Sequence, residues 1–173
     1  MDDDLPTPMP VAKAILWGGT LVGVLDIAAA ITLWAARGVA PVRILQGIAS
    51  GLLGPEAFRG GAFTAALGLA LHFVIAFAVA AVYYAASRSW PVLVRRAVPC
   101  GMAYGVLVHL VMDTVVLPLS RGTFRRPPWP VAVAMVAIHV LFVGLPAALA
   151  VRRHAPAAGT PPRVDEPAAA RTR

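Results

Sequence analysis

The sequence predicts an all-α fold: an integral membrane four-helix bundle with a short interfacial helix between its first two spans and a disordered carboxyl-terminal tail. Two observations carry this expectation. Four apolar stretches, residues 14–36, 60–87, 97–119 and 129–151, each reach the ~20 residues an α-helix needs to cross ~30 Å of hydrocarbon. The 173-residue chain is also 59% hydrophobic and only 13% charged, with a mean hydropathy of +0.76. That is more apolar surface than a soluble domain of this size buries, so lipid has to cover the remainder. The expected organisation is a short amino-terminal segment (1–13), one membrane domain (14–153) and a tail (154–173).

The segment before the first span is acidic, with Asp2, Asp3 and Asp4, and is broken by prolines. A cleavable signal peptide wants a positive start and a short apolar core, so the first span is expected to stay as a helix. Trp17 and Trp34 bracket that span at a separation of about 25 Å, which suits aromatic anchors at the two interfaces. After it, Pro41 is placed for a first helical turn, and Ile44, Leu45, Ile48 and Leu52 fall on one helical face, predicting a short helix lying at or dipping into the interface. The link from Arg88 to Arg96 reads as a tight basic turn. Ser120 to Pro130, with Pro127, Pro128, Pro130 and three arginines, reads as extended chain. Pro118 and Pro146, near span ends, are expected to kink or end their helices. From His154 onward the chain is rich in Pro, Ala and Arg without apolar periodicity, the composition of a disordered tail.

A net charge of +7 invites a nucleic-acid reading, but the 14 arginines and the single Lys13 are scattered over loops and tail, with no basic helix face and no aromatic interleaving. No nucleic-acid partner is expected. The cations instead set topology and contact anionic lipid. With both termini in the cytoplasm, nine basic residues lie inside against six outside, or seven against six once Arg171 and Arg173 are discounted. Asn is absent and Lys nearly so, while Ala and Arg abound. The expected setting is therefore the inner membrane of a bacterium with a GC-rich genome. The lone Cys100 rules out an internal disulfide, a CxxC pair and c-type haem attachment. Met102, Met112 and Met135 read as apolar filler. No GxSxG elbow, HExxH helix, Walker loop or dinucleotide fingerprint occurs, and the sequence leans away from an enzyme without deciding the matter.

The chemistry sits inside the spans. Each carries an ionisable residue near its middle: Asp26 in the first, His72 in the second, His109 and Asp113 in the third, His139 in the fourth. An isolated aspartate at the centre of a membrane helix costs ~2.5 to 3.5 kcal/mol on the insertion scale, so pairing or protonation is expected. Small residues mark the faces on which helices approach in lipid. Gly19 and Gly23 lead to Asp26, Ala65 and Gly68 to His72, Gly101 and Gly105 to His109 and Asp113, and Ala132 lies seven before His139. Threading the chain back and forth brings all five ionisable residues to one depth, half to two-thirds of the way from the cytoplasmic side, where they can form a layer. His109 and Asp113, four apart, can interact along one helix.

Two classes of function follow. One is a binding or conduction module whose Asp/His layer holds a proton, a transition metal ligated among His72, His109 and His139, or a b-type haem between opposed histidines such as His72 and His139. The other is a structural or accessory subunit whose polar layer fixes helix register. It would bind membrane lipids, another membrane protein or its own copies. The stretch Ile44 to Gly54, the pair Gly60-Gly61, Ala65 to Phe73, Tyr104-Gly105 and Leu117 to Ser120 resemble a family of small, uncharacterised four-span bacterial inner-membrane proteins. The resemblance implies the architecture and a bacterial source. It implies no activity, cofactor or site.

Overall fold

A computed structural model describes residues 10–122, 124 and 126–154. The expectations for the acidic segment and for the tail fall on residues 1–9 and 155–173, outside that range. Among the described residues the structure is helical, without strands. Four helices are long and apolar enough to cross a membrane: α1 (Pro10–Ala35), α3 (Gly61–Ser89), α5 (Ala97–Leu119) and α6 (Trp129–His154). Two shorter ones join them: α2 (Pro41–Leu53), followed by a 3-10 turn, and α4 (Val92–Arg95). α4 coils one helical turn into the link expected to be a plain basic turn, because Pro91 opens a turn that the Leu93, Val94 and Arg95 amides close.

Side chains are sorted by size across the bundle. The buried apolar residues are mostly alanines, among them Ala14, Ala76, Ala80, Ala147 and Ala148, whereas Leu16, Val74, Leu107, Leu110 and Leu141 point outward. A soluble domain does the reverse. Within lipid there is no hydrophobic drive between helices, so small residues that let backbones approach make the contacts and large ones face the acyl chains. α1 packs on both α3 and α6, and α6 on α5. α3 and α5 are joined by side chains: the Tyr104 hydroxyl donates to the Val79 carbonyl at 2.8 Å, and its ring meets Tyr83 edge-on at 4.9 Å. Tyr104→Phe should lower stability by about 0.6 kcal/mol, the average for a hydrogen bond between membrane helices, as measured by unfolding in mixed micelles. A loss beyond about 2 kcal/mol would mean that the bridge does more than join two helices.

Three buried valines, Val22, Val108 and Val143, belong to one apolar cluster. By the 1.5 Å helical rise they lie about 16–18 Å from the end of the bundle where α1 begins and α6 finishes, here the near end. They form an apolar floor across α1, α5 and α6.

α2 shows the same inversion. The apolar face expected to meet the interface, Ile44, Leu45, Ile48 and Leu52, is not the innermost: Gln46, Ala49 and Ser50 are buried against the protein, Ile44, Leu45 and Ile48 are half-buried, and Leu52 is exposed. Gln46 donates to the Gly61 carbonyl at 3.1 Å and to the Thr64 hydroxyl at 3.4 Å, while Thr64 donates to the Ala57 carbonyl at 2.7 Å. A Cβ on Gly68 would collide with the Leu45 carbonyl, so glycine alone lets α2 lie this close to α3. The third loop pins the other end, where the Arg121 amide donates to the Gly51 carbonyl at 2.9 Å. α2 thus covers the far half of α3 above His72, with its polar groups satisfied inside and Val42, Leu52 and Leu53 turned out.

Candidate functional site

The ionisable residues of the spans lie between about 18 and 26 Å from the near end by helical rise, just beyond the valine floor. Asp26 is one helical turn past Val22, His139 one turn before Val143, and His109 directly follows Val108. Asp26, His72, His109 and His139 are all half-buried.

On the α1/α3 side, Gly19 and Gly23 admit the rings of Phe77 and Phe73, which would occupy the space of any Cβ there. This close approach lets His72 Nε2 reach the Gly23 carbonyl at 2.9 Å. A carbonyl only accepts, so Nε2 carries the hydrogen and the neutral ring keeps its lone pair on Nδ1. One turn along α1 from Gly23, Asp26 has its Oδ1 fully enclosed, and no group among the described residues donates to it. An enclosed acceptor without a donor costs about 1–3 kcal/mol, more when ionised.

On the α5/α6 side the helices cross at backbone contact. A Cβ on Gly105 would sit 2.5 Å from the His139 carbonyl oxygen and 2.6 Å from the Val140 Cα, and one on Gly144 would sit 2.5 Å from the Gly105 nitrogen. This contact sets the rings of His109 and His139 edge to face, with centroids 4.8 Å apart. His139 Nδ1 donates to the Met135 carbonyl at 2.8 Å, which leaves Nε2 as the free basic nitrogen of the neutral ring.

Both helices break α-helical geometry, α5 three residues after His109 and α6 at His139 itself. Residues Met112–Val116 and His139–Gly144 form π-helical turns, in which the Leu117 amide donates to Met112 and the Leu145 amide to Val140, five residues back. The cause lies two residues further on. Pro118 and Pro146 have no N–H, and their rings clash with the carbonyls of Thr114 and Phe142 four residues earlier, so the preceding turn widens. π-turns are frequent at functional sites because they re-aim side chains. Here the extra residue in the turn accompanies an outward Asp113: it is exposed, with neither a hydrogen bond nor an ion pair among the described residues. His109 and Asp113, expected to pair along one helix, thus make no hydrogen bond or ion pair with each other.

The structure therefore brings together His109 with His139 and His72 with the α1 backbone beside Asp26, and turns Asp113 outward. His72 and His139, expected as opposed haem ligands, each donate one ring nitrogen to a backbone carbonyl and keep the other free. A linear His–Fe–His unit needs ring centroids about 6 Å apart, given metal–nitrogen bonds near 2 Å, and the 4.8 Å spacing of His109 and His139 leaves no such gap. Among the described residues no three of His, Cys, Asp and Glu are grouped to hold a metal ion. Sequence reasoning missed Gly144 and Ala148 as the contact stripe of α6, although their four-residue spacing is the same small-xxx-small signal read elsewhere. Counting uninterrupted α-turns back from His139 points to Ala132 instead.

The fold and these residues define a multi-pass helical membrane protein with ionisable groups at mid-span. No family model, curated protein or solved structure matches the chain.

Proposed function

We propose that this chain is a proton-binding and proton-relaying module of a bacterial inner membrane, with both termini cytoplasmic and with the four-span family named above as its kin. The observation that carries the reading is the pairing of His109 and His139 at 4.8 Å, at the same depth as an aspartate whose enclosed oxygen has no donor among the described residues. Imidazole changes protonation near neutral pH, and the hydrogen bond made by one ring nitrogen fixes the other as the free base. A proton that reaches His139 Nε2 has a second imidazole whose ring centroid lies 4.8 Å from its own, and Asp26 is the carboxyl at that depth. The valine floor beneath the layer supports a gated path, since three buried valines present no hydrogen-bonding group.

A second reading is favoured by the hydrogen bonds themselves. His72 donates to the Gly23 carbonyl of the neighbouring helix, which is what a structural subunit would use to fix helix register, while His139 is held against its own helix by the Met135 carbonyl. The two readings part on whether Asp26 must titrate.

The proposed topology has its own check. Reporter fusions after Arg153 should place that end in the cytoplasm, and fusions within residues 121–130 should report the periplasm. A periplasmic report after Arg153 would reverse the direction of the path while leaving the layer intact.

A further inference from the structure

The outward face of α5 is where this chain meets something else in the bilayer. α5 is the least covered of the four spans: 6% of its most apolar window is buried, against 22–28% in the other three. Along its exposed side Ala103, Val106 or Leu107, and Leu110 recur at three- and four-residue spacing and lead to Asp113. Asp113 lies about 9 Å inside the far end of the helix by its rise, and a side chain as short as aspartate does not reach the interface from there. Next to it, the Thr114 hydroxyl is already bonded to the Leu110 carbonyl at 2.6 Å, so it is not the missing donor.

From this we propose that α5 docks a transmembrane helix of a different protein, one carrying a lysine or arginine within its apolar span at the depth of Asp113. The argument is charge complementarity. With every copy in the topology proposed above, a second copy must supply its cation at the same depth. The described lysine and arginines of this chain, from Lys13 to Arg153, all lie at helix ends or in loops, and the half-buried His109 belongs to the same helix as Asp113. A second copy therefore brings another carboxylate to this face, not a cation. The flanking stripe gives the partner an apolar strip at helical spacing, and Asp113 fixes its register.

The test uses the full-length protein in phosphatidylcholine vesicles with two fluorescent poly-leucine transmembrane peptides, identical except for one lysine placed about six residues from an end, the depth of Asp113 by helical rise. Energy transfer should show the lysine peptide binding at least tenfold more tightly than the all-leucine peptide. Asp113→Asn should erase that preference, and Asp113→Glu should keep it, which separates lost charge from lost folding. Equal binding of the two peptides, or a preference that survives Asp113→Asn, overturns the proposal. Labelled copies of the protein that associate with one another at high dilution, and that Asp113→Asn disperses, also overturn it by making a second copy the occupant.

Discussion

Gly105→Val and Gly144→Val are each expected to prevent assembly of the folded bundle. The Cβ atoms these changes introduce fall within 2.9 Å of main-chain atoms of the facing helix, where no side chain can swing aside. Overpacking a core that can relax costs about 1–3 kcal/mol; where the obstacle is backbone, the helices must separate, and the expected loss is about 3 kcal/mol or more. Separation also pulls His139 from His109, so function should fall with the fold. The control is Gly47→Ala. Nothing lies within 4 Å of that position, on the open side of α2, and helix propensity alone should make alanine neutral or about 0.5–1 kcal/mol stabilising. Gly18→Ala is intermediate: its neighbours are the Cβ atoms of Ala150 and Ala80 at 3.3 and 3.4 Å, a contact that a shift of a few tenths of an ångström accommodates. Unfolding in mixed micelles or folded yield after extraction will rank the four variants. Wild-type yield from Gly105→Val would mean that α5 and α6 do not cross as described.

The spans are legible in the sequence because crossing a bilayer is a demand on length and hydropathy alone, and four stretches meet it. The depth of Asp26, His72, His109 and His139 is legible for the same reason, since a fixed rise converts residue number into height. What sequence reading does not supply is azimuth. It assumes 3.6 residues per turn throughout and makes Pro118 and Pro146 helix ends or kinks. α5 does end at Leu119, one residue past Pro118, but α6 continues past Pro146 to His154, and each proline widens the turn before it, which displaces the facing stripe from Ala132 to Gly144 and Ala148 and leaves Asp113 outward. The buried side of α2 escapes for a different reason. Apolar periodicity identifies the protein side of a helix in water, whereas beside lipid the small and polar Gln46, Ala49 and Ser50 turn inward. The tyrosine bridge from Tyr104 to Val79 leaves no local mark, because its acceptor is a backbone carbonyl 25 residues away.

Asp26 divides the two functional readings more sharply than any histidine. Asp26→Asn keeps size and hydrogen-bonding capacity while removing the titratable charge, so that no carboxylate has to be enclosed without a donor among the described residues. Folding should be unchanged or slightly improved. Asp26→Leu removes the polar group altogether and should also fold, because an unpartnered aspartate stabilises nothing by hydrogen bonding. Under the structural reading the order differs: Asn is tolerated in every respect, and Leu destabilises.

The most direct measurement is proton flux into vesicles reconstituted with purified protein and loaded with a pH-sensitive dye, driven by a potassium-diffusion potential. The wild type should show flux well above protein-free vesicles, with a rate that depends on pH across the range in which imidazole titrates. Asp26→Asn and His139→Ala should each lower it at least tenfold, with unfolding midpoints close to wild type. Flux that Asp26→Asn leaves intact, or a wild type no leakier than empty lipid, would contradict the proton-relay account and leave the polar layer as a device for holding helices in register.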